Sequence, residues 1–212
     1  MTRRRTRVKF CGMTRLEDAL AAAALGVDAI GVVLTLRSRR FAGIERAREI
    51  FHALPPFVTR VALFMDDEPA FVAEAVTTVS PHLLQFHGSE TAADCVRYGR
   101  PYLKSVAMGG GEDWRSVVAA HPQAAGFLFD GHAAGETGGS GRRFDWSVLP
   151  EQIGKPIVLA GGLDGDNVGA AVRRVRPFAV DVSSGIEAEL GVKDENSMRR
   201  FIAAVNEADE ED

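Results

Sequence analysis

One unit recurs along this chain and constrains its fold more than any other feature: a short β-branched or aromatic run, a polar loop, then an amphipathic helix. The runs fall at 8–11, 29–34, 58–64, 82–86, 102–106, 125–129, 156–160 and 178–182. Helical periodicity is expected over 15–25, 44–54, 69–79, 91–98, 114–120, 167–175 and 196–205, with a short segment at 146–149. Strands alternating with helices pair in parallel, because each crossover helix returns the chain to the same end of the sheet. An open doubly wound sheet usually has about six strands, whereas eight such units can close on themselves. The expectation is therefore an α/β fold, a single-domain (β/α)8 TIM barrel over 1–212, a length that suits one such domain. Local punctuation supports the first helices. Thr14 and Glu17 have the spacing of a capping box, Gly26 suits a helix stop, and Leu16, Ala19, Leu20 and Ala23 form an apolar stripe. Pro69 suits a first helical position, where its missing N–H costs nothing.

Composition excludes several classes of function. With 46% apolar and 25% charged residues the chain has the profile of a globular protein rather than a disordered one. A net charge of -4 offers no basic field for nucleic acid. The apolar stretch at 21–34 is broken by Gly26 and Asp28, so it falls short of the ~18–20 residues needed to span a bilayer. Two cysteines make no disulfide framework, which fits a reducing cytoplasm. The basic start and acidic end, 1–6 and 207–212, are expected to be flexible, solvated tails. Either a monomer or a homodimer is compatible with this reading.

A barrel of this kind keeps its chemistry at the C-terminal ends of its strands. Strand one ends in Lys9-Phe10-Cys11-Gly12, and strand alternation puts Lys9 and Cys11 on one face. Cys11 reads either as a base or nucleophile favoured by nearby positive charge, or as a small buried hydrophobe; Cys95, inside a helix, reads as the latter. Strand six ends in Asp130, a candidate general acid or else a loop cap or ion-pair partner. His132 follows it, but no second ligand stands at metal spacing and the five histidines form no cluster in sequence. No metal or cofactor is therefore expected. Gly161-Gly162 after strand seven and Ser183-Ser184-Gly185 after strand eight are placed where such barrels hold phosphate on backbone N–H groups, the alternative being tight turns. Neither loop contains a lysine. Arg37, Arg39 and Arg40 form either a solvated patch or a carboxylate clamp. Gln85 and His87 share one strand face and line the same cavity in this reading. Neither a GxGxxG run after the first strand nor a P-loop is present, which disfavours nucleotide binding of those kinds.

These strand ends resemble the phosphoribosylanthranilate isomerase family of tryptophan biosynthesis. The matching segments are KFCGMT (9–14), GVVLTLRSRRF (31–41), VALFMD (61–66), LQFHGSE (84–90), FDGHAAGETGGSGRRFDW (129–146), LAGGLDGDNV (159–168) and AVDVSSGIEAELGVKD (179–194), spread over nearly the whole chain in family order. The resemblance implies a cofactor-free Amadori rearrangement of a small phosphorylated substrate, N-(5-phosphoribosyl)anthranilate. It implies Cys11 as general base and Asp130 as general acid. Arg40 would hold the anthranilate carboxylate, and Gly161, Gly162, Ser183, Ser184 and Gly185 the phosphate. Beside it stand proposals from the residues themselves: Lys9 favours the Cys11 thiolate, and Asp181 pairs with Lys9 or faces the substrate amine. Thr35 and Leu36 depart from the aromatic and proline common in that family. The alternative readings are a related phosphate-binding barrel isomerase of histidine biosynthesis and a non-catalytic phosphosugar-binding barrel.

Overall fold

A computed structural model describes residues 5–110, 113–133, 135–136, 142–149 and 153–211. Eight parallel strands close into a barrel in sequence order: β1 (Arg7–Phe10), β2 (Ala29–Val33), β3 (Thr59–Phe64), β4 (Leu83–Phe86), β5 (Tyr102–Ala107), β6 (Gly126–Asp130), β7 (Ile157–Leu159) and β8 (Ala179–Val182). Pairing of β8 with β1 shuts the ring and sets Lys9 directly beside Asp181. Among the described residues seven α-helices surround it: α1 (Leu16–Ala24), α2 (Ile44–Ala53), α3 (Pro69–Val79), α4 (Ala92–Val96), α5 (Trp114–Ala120), α6 (Val168–Val175) and α7 (Glu195–Glu210). Between β6 and β7 the expected short helix is a single 3-10 turn, Trp146–Val148. After β8 a 3-10 turn (Ser184–Ile186) leads into a small antiparallel hairpin, β9 (Glu187–Glu189) and β10 (Val192–Lys193).

Strand alternation builds two layers of burial. Phe10, Ile30, Phe64, Phe86, Phe129 and Val182 pack outward against the helices as part of one large core. Leu103, Leu128, Val158, Ala160 and Ala179 form a separate apolar cluster, and Cys11, Val33 and Leu63 another. The odd positions of β1 therefore share a face distinct from Val8 and Phe10, as the period of two requires.

Local expectations met mixed outcomes. Gly26 follows α1 with φ of 86°, and Pro69 opens α3. The capping box at Thr14 does not form: α1 is capped by Arg15 without a side-chain bond, and the Thr14 hydroxyl donates to the Gly191 carbonyl in the β9–β10 turn. Within α1 the buried residues are Asp18, Ala19 and Ala22, while Leu20 is exposed. The hydrophobic period was displaced because buried Asp18 is needed to accept from the Lys193 N–H at 2.9 Å, a second tie to the hairpin. The acidic end is no loose tail through 207–210, which are the last turns of α7. Ala208 is buried there, and the Asp209 carboxylate accepts from both N–H and hydroxyl of Thr6 at 2.7 Å. Two chain ends that looked solvated thus hold each other, and residues 1–4 and 212 lie outside the described residues.

Candidate active site

A pocket opens at the C-terminal ends of the strands, lined by Cys11, Arg40, Gln85, His87, Asp130, Gly161, Gly162, Asp181, Ser183 and Ser184 among others. Ten of the eleven residues singled out from the sequence therefore line one cavity. The eleventh, Gly185, packs on the chain: a Cβ there would lie 2.0 Å from the Leu163 carbonyl oxygen. The part of the glycine-rich loop at 137–141 lies outside the described residues.

On one side of the pocket, Lys9 Nζ donates to Asp181 Oδ1 at 2.8 Å, both side chains buried. Burial opposes the charge on Lys9, but Asp181 and the nearby Cys11 outweigh it and hold its pKa above the ordinary lysine value. Cys11 responds to the same neighbours in the opposite balance. Burial pushes its thiol up, Lys9 pulls it down, Asp181 adds to the rise, and the net result lies above the usual thiol value. Lys9 thus favours the thiolate, as expected from their shared face, without making it the resting form. Space for this pair comes from β2. A Cβ on Gly31 would stand 2.7 Å from Cys11 Sγ and 3.1 Å from Lys9 Nζ. Gly31→Ala is expected to leave the barrel folded but to displace the Cys11 thiol, so any turnover that uses this thiol should fall at least about tenfold, since misplacing a group in a site by about 1 Å can cost a hundredfold. A steady-state assay with a thermal melt separates the two effects. Gly12, directly after Cys11, adopts φ of 72° and comes so close to Arg40 and Ser183 that a side chain would collide with both.

Across the pocket, Asp130 ends β6. Its Oδ2 lies 3.5 Å from His87 Nε2 and 3.3 Å from His132 Nδ1, and the two imidazoles stack with centroids 4.6 Å apart. Burial would raise the Asp130 pKa, but His132 and then His87 outweigh it, holding the carboxyl well below the usual range. For His87 burial dominates and favours the neutral ring, against the pull of Asp130. Gln85 Nε2 sits 3.1 Å from His87 Nδ1, and Ser105 Oγ 3.3 Å from its Nε2. The expectation that the histidines form no cluster is corrected here. Donor atoms of His87, Asp130 and His132 all lie within 4.8 Å of one another, because β4 and β6 end at the same rim. Both imidazole nitrogens close on the same Asp130 oxygen, so the three groups are placed to share a proton.

At the mouth, Arg40 donates from Nε and Nη2 to the two carboxylate oxygens of Glu187, each at 2.7 Å. Lys193 Nζ joins Glu187 at 2.9 Å and the Ser183 carbonyl at 3.0 Å. Burial would raise the Glu187 pKa, but the two cations hold it below the usual value. Two buried cations around one carboxylate leave an excess positive charge beside Ser183, supplied from the hairpin although neither glycine-bearing loop contains a lysine. Sequence reading missed Glu187 because the ion pair joins positions 147 apart. The signal available was the opposite charge six residues on, Glu187 and Lys193 in the IEAELGVKD run, which the hairpin sets side by side. Gly161 adopts φ of 87°, and a Cβ there would sit 2.3 Å from the Gly131 N–H nitrogen and 3.0 Å from Asp130 Oδ1. The β7 loop can therefore approach the β6 end only as glycine.

The closed ring and a rim pocket lined by the β7 and β8 loops place the chain among the (β/α)8 barrels that keep a ligand pocket at the C-terminal ends of their strands. The family model for N-(5'-phosphoribosyl)anthranilate (PRA) isomerase matches residues 8–204. The chain is 54% identical to N-(5'-phosphoribosyl)anthranilate isomerase of Pseudomonas aeruginosa strain PAO1, over 94% of each chain. It is 50% identical to that of Halorhodospira halophila, over 97% of this chain and 99% of the relative. Among solved structures it resembles phosphoribosyl anthranilate isomerase from Thermotoga maritima, with TM-score 0.86 and 39% identity over 95% and 99% of the two chains. It also resembles a phosphoribosyl anthranilate isomerase in complex with reduced 1-(o-carboxyphenylamino)-1-deoxyribulose 5-phosphate, with TM-score 0.83 and 37% identity over 95% and 99%. The chain belongs to the N-(5'-phosphoribosyl)anthranilate isomerase family.

Proposed function

We propose that Cys11 and Asp130 are the base and acid with which this chain isomerises N-(5'-phosphoribosyl)anthranilate in tryptophan biosynthesis. The observation that carries the reading is their common pocket, with the Gly161-Gly162 and Ser183-Ser184 loops on its rim. The phosphate sits between those loops, on backbone N–H groups and serine hydroxyls, in the positive field of Lys193. Arg40, already oriented edge-on by Glu187, offers its remaining guanidinium N–H groups to the anthranilate carboxylate.

Asp130 gives a proton to the furanose ring oxygen as the C1′–O bond breaks, and the nitrogen lone pair forms the protonated Schiff base. Cys11 as thiolate removes the C2′ proton, and the electron pair returns to nitrogen as the enolamine. Tautomerisation of the enolamine gives the aminoketose, 1-(2-carboxyphenylamino)-1-deoxyribulose 5-phosphate. No redox group or cofactor enters this balance. Two free, buried cysteines fit a reducing cytoplasm, and no helix among the described residues is long and apolar enough to cross a membrane. A monomer or homodimer is compatible with this pocket.

The test follows the fluorescence of freshly generated phosphoribosylanthranilate with no metal or cofactor added. Rapid loss with the parent protein, slowed on the order of 10²–10⁴-fold in Asp130→Asn, is the expected result for removal of a general acid. Undiminished turnover by Asp130→Asn would assign the acid elsewhere.

A further inference from the structure

We propose that His132 is a positioning residue for this reaction, which holds, on its imidazole, the proton that Asp130 passes to the substrate. The inference rests on the isomerase reading of Asp130 and extends it to a residue outside the pocket lining. His132 is 1% exposed, and its Nδ1 makes no hydrogen bond among the described residues, with Asp130 Oδ2 3.3 Å away. His87 approaches the same oxygen but is already engaged through both nitrogens, to Gln85 and Ser105. Lys104, on β5, adds a positive charge that further disfavours protonation of His87. Among the described residues, His87 from β4 and His132 act on Asp130, and Lys104 from β5 acts on His87.

The backbone fixes this arrangement. Met108 N–H donates to the Asp130 carbonyl at 2.8 Å and Gly109 N–H to the His132 carbonyl at 2.9 Å, so the end of β5 clamps both residues. A Cβ on Gly109 would lie 2.4 Å from the Gly131 carbonyl oxygen, so the close approach requires glycine.

The chemical need is specific. A carboxyl held ionised by two imidazoles is a poor acid, and a buried thiol is a poor base. Turnover draws on the form in which Cys11 has lost its proton and the Asp130 unit has kept one. An imidazole 3.3 Å from the carboxylate offers the unit a second site for one proton, so the pair keeps a proton in more molecules than the carboxyl alone would, and with it the productive fraction. One proton leaves the unit for the ring oxygen, the C1′–O bond breaks, and water restores the proton after product departs.

His132→Asn, which keeps an amide donor toward Asp130, separates this from a packing role, and His132→Gln is the second variant should Asn fold poorly. The expected result is kcat lowered about tenfold or more, with KM within about twofold. The acid limb of the kcat profile should also move to lower pH, by about one unit per tenfold lost. A limb that stays fixed, or a profile that superimposes on the parent, overturns the proposal. Should the parent protein fail to turn over phosphoribosylanthranilate, the isomerase reading fails by itself. The Asp130 carboxyl signal in carbon-13 NMR then decides: an ionisation midpoint that rises in His132→Asn supports the pair, and an unmoved one overturns it.

Discussion

Cys11→Ala is expected to lower kcat about a thousandfold while leaving affinity for the reduced product analogue within a few fold. Removing a positioned general base costs 10²–10⁴ in rate, and a thousandfold is about 4 kcal/mol of transition-state stabilisation. The substitution is structurally mild. Cys11 packs in a small cluster with Val33 and Leu63, so the void left by one sulfur atom costs about 1 kcal/mol of stability. Affinity is retained because the contacts proposed for phosphate and carboxylate, at Ser183, Ser184 and Arg40, do not involve the thiol. A KM that rose with unchanged kcat would make Cys11 a binding residue instead. The sign of the pH dependence follows from burial. The thiol lies above its ordinary value, so activity of the parent holds to the alkaline side of pH ~8.5 and declines only beyond it. Cys11→Ala should remove that alkaline limb along with the rate.

How far the sequence announced all this differs by feature. Eight strand–helix units could be read because each strand is a short apolar run and each helix carries a face, and both periods survive in one dimension. The parity of β1 was equally legible: Lys9 and Cys11 share a face, and ring closure sets Lys9 against Asp181. What could not be read were contacts made through the third dimension. The Glu187–Arg40–Lys193 network joins a loop after β2 to a hairpin after β8. The His87–Asp130–His132 cluster joins two strand ends that only the barrel brings together. The Thr14 capping box failed for the same reason, since the Thr14 hydroxyl is turned to the distant Gly191 carbonyl and α1 opens one residue later, at Arg15. Even the acidic end misled, because charge composition reports solvation and is silent about the partner, here Thr6, that orders Asp209.

Breaking the Lys9–Asp181 pair should produce the largest loss of stability available from a single polar substitution in this pocket. The pair is buried on both sides, with side-chain exposures of 5% and 9%. Two such charges offset each other's desolvation only while both are present. Lys9→Met fills much of the lysine volume but leaves the Asp181 carboxylate buried without its cation, which costs about 3–5 kcal/mol. For a chain of this length that corresponds to a Tm lower by roughly 10 °C. The double variant Lys9→Met/Asp181→Asn should recover most of the loss, because an uncharged amide has far less to lose from burial. The pH dependence has a definite sign. The Lys9 pKa is raised in the folded protein, so its stabilising contribution is complete below the unfolded value near ~10.4 and disappears as pH climbs through the folded one. Parent and Lys9→Met should therefore differ by a constant amount across neutral pH and converge only in strong alkali. Urea melts at pH 7 and at strongly alkaline pH measure both quantities. A Lys9→Met protein as stable as the parent at pH 7 would show that the carboxylate finds another partner or water, and that this inner layer of the barrel is less dry than its burial indicates.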